Sequence, residues 1–354
     1  MKAILLAGGK GTRLRPLTLN IPKPIVPIFN RPFLLYQLDL LKQVESIDEV
    51  ILSLNYQPDR IEELIGNIHN LGIKIRYLIE PQPLGTAGAI RFASDFLDDT
   101  VIIFNGDVLT ELNLSAVLQY HRSREANATI VLKPVENPSA YGLVEVDQDG
   151  NVKRFLEKPE AEEISCNTIN AGVYIIEPST LHRIPKHMPW SIERSFFPAL
   201  INDGERFVAY VSSGYWIDIG TPVSYRQVHR DIMDGHFPTE PFRSKPKGTV
   251  VVADSAQIED GVTLEGPCFI DEGVVVKTGA RIGAYTVLGR KCEVGNNVNI
   301  EASILWPSCS IEAEAFLNDV VLGQGCHIGR NAVIQSGVTL GDKAVVPDYD
   351  GFNR

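Results

Sequence analysis

The sequence predicts an α/β fold in two parts: a doubly wound, mostly parallel sheet of the Rossmann-like kind, then a left-handed parallel β-helix of hexapeptide repeats. Three observations predict it. An apolar run at residues 2–7 leads straight into a glycine-rich loop. Strand-like and helical patterns alternate as far as about residue 235. Beyond residue 248, aliphatic residues recur at every sixth position.

Taken in order, Lys2–Ala7, Glu49–Leu54, Ile73–Ile79, Val101–Phe104 and Ala128–Leu132 are short apolar runs of the kind that fill buried parallel strands. Between them, 33–44, 59–70, 86–97 and 114–124 carry apolar residues at three- and four-residue spacing, which predicts helices. Pro32 and Pro58 stand where a first helical turn tolerates proline. Strand–helix alternation predicts the doubly wound sheet. Asp147-Gln148-Asp149-Gly150 separates two alternating runs and predicts a hairpin, an antiparallel insertion on the parallel core.

Residues 237–248 hold three prolines and read as a linker. The period then becomes six. Val252, Ile258, Leu264, Ile270, Val276, Ile282, Leu288, Val294 and Ile300 are in step. The register breaks around 306–317 and resumes at Leu322, Ile328, Ile334, Leu340 and Val346. Small or β-branched residues fill a second phase of the repeat, and Gly or Asn a third, where a corner needs left-handed backbone. This is the hexapeptide pattern of a left-handed β-helix. At roughly three hexads per coil, five or so coils are expected. Cys268, Cys292 and Cys326 occupy the small-residue phase and read as core hydrophobes rather than metal ligands. The expected domains are 1–236, a linker at 237–248, and the β-helix at 249–354.

Of 354 residues, 44% are hydrophobic and 22% charged, and the net charge is −11. Those values suit a soluble globular protein of about two domains. They argue against a nucleic-acid binder, which would show a basic stripe. No apolar run approaches the ~18 residues that span a membrane, and no signal-peptide layout opens the chain. Five cysteines without a CxxC pair make a disulfide framework unexpected, and a cytoplasmic location is the default.

The loop after the first strand reads Gly8-Gly9-Lys10-Gly11-Thr12-Arg13-Leu14-Arg15-Pro16-Leu17-Thr18, and Pro22-Lys23-Pro24 follows. Glycines let backbone N–H groups approach an anion, and Lys10, Arg13 and Arg15 concentrate positive charge in an acidic chain. A nucleoside triphosphate fits that loop. The string has neither the Gly-Lys-Ser/Thr ending of a P-loop nor GxGxxG spacing. It closely resembles the sugar-nucleotide pyrophosphorylases, nucleotidyltransferases that join a sugar 1-phosphate to a nucleoside triphosphate and release pyrophosphate.

That resemblance implies roles along nearly the whole chain. Leu6, Ala7, Gly8, Gly9, Gly11, Thr12 and Arg13 would line the nucleotide, with Arg13 on the β- and γ-phosphates. Lys23 would contact phosphate at the reacting centre. Asp107, at the carboxyl end of an apolar strand, and Asp218, in Trp216-Ile217-Asp218-Ile219-Gly220, match the pair that holds Mg²⁺. Lys158 would hold the phosphate of the sugar 1-phosphate. Tyr141, Gly142, Glu157, Asn170 and Gly172 would line the sugar. The nucleophile is an ionised phosphate oxygen, so no general base is needed. Taken singly, Asp107 and Asp218 could be caps, Lys23 a surface charge and Lys158 half of an ion pair.

Glu80 and Gly85, in Glu80-Pro81-Gln82-Pro83-Leu84-Gly85, are placed to read the base. A carboxylate accepts two hydrogen bonds and donates none, so Glu80 suits the adjacent N1–H and 2-amino donors of guanine. Gln82, if it faced the base, would suit a pyrimidine. The alternative for Glu80 is that it caps the next helix through its negative charge. The resemblance favours GTP and mannose 1-phosphate, with thymidylyl- or uridylyltransfer to glucose 1-phosphate as the alternative. A homo-oligomer assembled through the β-helix is expected. Two other classes remain in view: a non-catalytic paralogue that senses sugar nucleotide, and a hexapeptide acyltransferase using His327, the one histidine of the β-helix.

Overall fold

The computed structural model describes every residue except 158, 159, 161, 163, 336, 353 and 354. Packing divides the chain into two compact units, Met1–Lys10 with Leu34–Trp216, and Gly11–Phe33 with Ile217–Arg354. The rhythm of the sequence changes near residue 237. Packing instead groups the loop at 11–33 and the residues from 217 onward with the β-helix.

In the first unit β1 (Lys2–Leu6) lies between two parallel neighbours, β2 (Glu49–Leu54) and β4 (Val101–Asn105). β3 (Lys74–Ile79) extends the parallel side beyond β2. On the other side β8 (Thr168–Ile176) runs antiparallel to β4 and to β5 (Ala128–Pro134), and β9 (Phe207–Val211) pairs parallel with β5. The order is β7-β6-β8-β4-β1-β2-β3. β6 (Leu143–Val146) and β7 (Val152–Leu156) form the expected antiparallel hairpin, whose turn is tied by Asp147 accepting from Asn151 N at 2.8 Å. The strand order reverses direction between β1 and β4, the switch point of an open α/β sheet. The loops leaving β1 and β4 emerge there.

The helices begin where expected and end early. α1 (Phe33–Leu41) stops three residues before Val44, and α2 (Pro58–Gly66) stops four before Asn70. Apolar periodicity continues through both C-terminal turns, so it marks the buried side without marking the stop. Pro58 occupies the first turn of α2, whereas Pro32 lies in the two-residue strand Arg31–Pro32 just ahead of α1. α3 (Gly85–Phe92) and α4 (Leu114–Ser123) complete the set in this part of the chain. α3 lays Ala87 and Ile90 on a core with Ile4, Ile51, Val101 and Ile103.

The second unit contains three parallel sheets of six strands each, so there are six coils rather than five or so. The repeat does not break at 306–317. It skips one residue twice, between Ile300 and Leu305 and between Leu317 and Leu322, and strand partners there stand seventeen apart rather than eighteen: Val287↔Ile304, then Ile304↔Val321. Leu305, Ile311 and Leu317 keep the six-residue step inside that stretch. Both short corners carry a residue with positive φ, Ala302 (50°) and Asp319 (53°). The corner row Tyr285, Asp319 and Gly337 meets α6 (Pro222–Met233; the intervening α5 is Phe197–Asn202). Tyr285 Oη donates to Asp234 at 3.0 Å, and Arg226 and Arg230 reach Asp319 at 3.2 and 2.9 Å. Cys268, Cys292, Cys309 and Cys326 are free and buried in the β-helix core. Burial pushes the Cys268 thiol up to about 11, as expected of a core hydrophobe. His327 is exposed.

His229 of α6 is 1% exposed and neutral. Its Nδ1 lies 2.8 Å from the Tyr225 carbonyl, and Phe29 N donates to Nε2 at 3.4 Å, which together set the tautomer. Burial pushes its pKa down to about 4. An unfolded histidine protonates near 6.5. Between those values the unfolded chain binds more protons, so stability is full above 6.5 and falls with pH. About 2 kcal/mol should be lost between about pH 7 and 5 from this group. Urea titrations at the two pH values should show that loss, and His229→Gln should remove most of it; an unchanged slope in the variant would contradict the assignment.

Candidate functional site

In the first unit, Ala7 N donates to Ser53 O at 2.9 Å, which extends the β1 pairing into the loop. Gly8 then runs past Asn55 and Glu80: a Cβ there would stand 3.2 Å from Asn55 N and 3.5 Å from Glu80 Oε1. Gly106 closes against β1, donating its N–H to Leu6 O at 3.1 Å, and a Cβ on it would overlap that carbonyl. The backbone contact directs the turn that presents Asp107, which is half-buried. Gln37, 2% exposed, donates through Nε2 to the carbonyls of Asn105 and Val108, each at 2.9 Å, and so straddles that turn.

Glu80 is 7% exposed. Ser53 Oγ donates to Oε1 at 2.8 Å and Leu84 N to Oε2 at 2.9 Å. The second bond lies at the N-terminus of α3, so Glu80 does cap that helix. Each oxygen keeps a further lone pair, and the carboxylate remains acceptor-only. Gln82 is exposed. Gly85 opens α3 at φ 69°, tight against Trp190 O.

Of the residues expected at the sugar, Gly142, Asn170 and Gly172 are joined by hydrogen bonds. Asn170 N donates to Gly142 O at 2.9 Å, Asn170 Oδ1 accepts from Gly172 N at 2.9 Å, and Asn170 Nδ2 donates to Tyr174 Oη at 2.9 Å. Asn105 Nδ2 approaches the same Oη at 3.4 Å. Burial drives the Tyr174 phenol well above its usual range, so it stays protonated. Glu157 lies beside Gly142, where a Cβ would meet Oε2 at 2.9 Å. The Tyr141 ring stands edge-on to Trp216 at 5.5 Å, and Trp216 Nε1 donates to Ala171 O at 2.9 Å. Lys158 lies outside the described residues. Asn105 and Gln37 had no motif to announce them; their one signal is a polar residue placed at a strand end or inside an apolar helix.

In the second unit, Gly11 (φ 60°) begins the short 3₁₀ turn Thr12–Leu14, and Thr18 Oγ1 donates to its carbonyl at 2.7 Å. A second such turn, Lys23–Ile25, holds Lys23 with its side chain 10% exposed. Lys23 Nζ stands 3.8 Å from Asp218 Oδ1, and Arg13 3.6 Å from Oδ2. Both cations thus stand beside the same carboxylate. The Arg13 side chain is 64% exposed, and its guanidinium passes within 3.0 Å of where a Cβ on Gly220 would be. The hairpin Pro27–Ile28/Arg31–Pro32 follows Lys23. It is held by Tyr225 donating to Pro27 O, by Phe29 N on His229, and by Asn30 donating to Asp271. Two cations thus converge beside one carboxylate after a glycine-rich turn.

The nucleotidyl transferase family model matches residues 2–235, and that of the GMPPB C-terminal domain matches 264–349. The chain belongs to the nucleotidyl transferase family. Among relatives, a probable mannose-1-phosphate guanylyltransferase 1 of Oryza sativa subsp. japonica is 37% identical across 98% of this chain and 97% of its own. A mannose-1-phosphate guanylyltransferase of Mycobacterium tuberculosis is 39% identical across 83% and 81%. HddC from Yersinia pseudotuberculosis, crystallised in complex with GMP-PN, superposes with TM-score 0.55 at 32% identity, covering 64% of this chain and 96% of that one.

Gly11 has no room for a side chain. A Cβ there would stand 2.9 Å from Lys23 Cβ and 3.2 Å from Thr18 Cγ2, on left-handed backbone. Gly11→Ala should cost about 1–2 kcal/mol of stability by thermal melting and should also displace Lys23. Turnover should therefore fall more than tenfold in protein that remains folded, by about the loss typical of a misplaced phosphate cation.

Proposed function

We propose that this protein transfers a guanylyl group from GTP to mannose 1-phosphate, making GDP-mannose and pyrophosphate. The observation that carries the reaction class is the convergence of Arg13 and Lys23 on Asp218. Relatives named guanylyltransferase match nearly the whole chain, and buried Glu80 offers an acceptor-only edge beside Gly8, which supports guanine. Mannose comes from the relatives' names alone.

In this reading the phosphate oxygen of mannose 1-phosphate attacks the α-phosphorus of GTP in line, and pyrophosphate leaves. Arg13 and the Gly11–Thr12 backbone hold the β- and γ-phosphates. Lys23 offsets charge at the reacting centre, where its near-burial strengthens each interaction. Lys158 is assigned to the sugar phosphate. Asn170, Gly172, Tyr141, Gly142 and Glu157 line the sugar. Enzymes of this family generally use a divalent metal. Asp107 and Asp218 provide hard carboxylate oxygens, the donors Mg²⁺ prefers, so the residues fit that ion. When bound, Mg²⁺ would neutralise charge on the phosphates as a Lewis acid. Among the described residues no helix is long and apolar enough to cross a membrane. The five free cysteines support placing the reaction in the cytoplasm. Self-association through the β-helix remains part of this reading, supported by Val345 and Tyr349 standing 66% and 75% exposed on its last coil.

Pyrophosphate release with Mg²⁺ should be strongest for GTP with mannose 1-phosphate when GTP, ATP, dTTP, UTP and CTP are each paired with mannose and glucose 1-phosphates. A maximum with dTTP or UTP and glucose 1-phosphate would replace the substrates and keep the chemistry. Asp107→Ala should abolish turnover with little change in melting temperature, whereas unchanged turnover in Asp107→Asn would favour a non-catalytic sensor. Glu80→Gln should shift preference from GTP towards pyrimidine triphosphates, and an unshifted preference would remove Glu80 from base recognition.

A further inference from the structure

We infer that Trp306 of the β-helix is a positioning residue for Lys23, acting through Tyr225. The inference rests on the reading of Lys23 as the side chain at the reacting phosphates. In the repeat, the residue after each core aliphatic is Gly, Ala, Pro or polar: Ala253, Asp271, Gly289, Glu312 and Gly329 are examples. Trp306, after Leu305, is the exception. It lies on the strand's outer side yet is only 3% exposed.

Its burial is explained by a polar relay. Trp306 Nε1 donates to Tyr225 Oη at 2.9 Å, and that hydroxyl donates to Pro27 O. The order of donors is forced, because an indole N–H can only donate and a proline carbonyl can only accept. Tyr225 is fully buried, and its ring meets that of Trp306 near edge-on at 6.4 Å. Pro27 stands one residue beyond the turn that holds Lys23, which closes by Val26 N donating to Lys23 O at 3.1 Å. Val26 O in turn accepts from Phe33 N at 3.0 Å, so the segment from 23 to 33 is braced at both ends. With Trp306 removed, Tyr225 Oη keeps a buried acceptor with one donor fewer, and its hold on Pro27 loosens.

Trp306→Phe keeps the buried ring and deletes the donor, and Tyr225→Phe deletes the hydroxyl. Each should lower kcat for pyrophosphate release about three- to tenfold, the worth of one net hydrogen bond, with smaller changes in KM. Each should also speed amide hydrogen exchange in peptides spanning residues 22–33 while the β-helix coils keep their protection. The double variant should be no slower than the slower single one, since both cut the same relay. Unchanged kcat and exchange at 22–33 would overturn the inference. So would loss of protection throughout the β-helix with kcat per folded molecule intact, or losses that simply add. If Trp306→Phe fails to fold, Tyr225→Phe carries the same test. A wild-type protein that releases no pyrophosphate would defeat the functional reading alone, and exchange at 22–33 would still decide the clamp.

Discussion

A lysine only 10% exposed must be paired, and the pairing of Lys23 with Asp218 is the constraint on which its surroundings depend. At 3.8 Å the carboxylate compensates the charge. Arg13, on the other carboxylate oxygen, is mostly exposed and adds reach towards solvent-borne anions. Gly11 has no side chain because Lys23 and Thr18 occupy that space. The prolines on either side of Lys23 stiffen its backbone, and the hairpin beyond it hangs from Tyr225 and His229. In the proposed reaction a phosphate would meet cations whose positions are already set, with little reorganisation on binding.

Much of the fold was legible because it is carried by local pattern. Buried parallel strands are apolar throughout, and five expected strands match to within two residues. The six-residue step of the β-helix is equally local. What escaped was non-local. Nothing near Gly11–Phe33 says that the segment packs with residues beyond Ile217. In the sequence the two skipped residues look like one long interruption, because a one-residue shift hides a repeat that otherwise continues. Both skips fall in the corner row that meets α6, where Asp319 serves Arg226 and Arg230 together.

The site was legible where chemistry needs a distinctive string and obscure where it needs a single polar group. The glycine-rich loop, Pro22-Lys23-Pro24 and the aspartates carried resemblance over long stretches. Gln37 and Asn105 brace the Asp107 turn and the Tyr174 hydroxyl with ordinary amides that any helix or strand end could hold. Glu80 accepts from Leu84 N at the start of α3 and also lies beside Gly8, a placement that no local string announces.

The grouping of Gly11–Phe33 with Ile217–Arg354 sets an order of events during synthesis. Phe29 bonds to His229, two hundred residues later in the chain. A nascent polypeptide emerges from its N-terminus, so the loop bearing Arg13 and Lys23 is made early and must wait for partners translated much later. The sheet strands between can pair in the interval, but the turn bearing Lys23 has yet to meet Tyr225 and His229. A chain cut before α6 therefore lacks the residues on which the Lys23 segment rests.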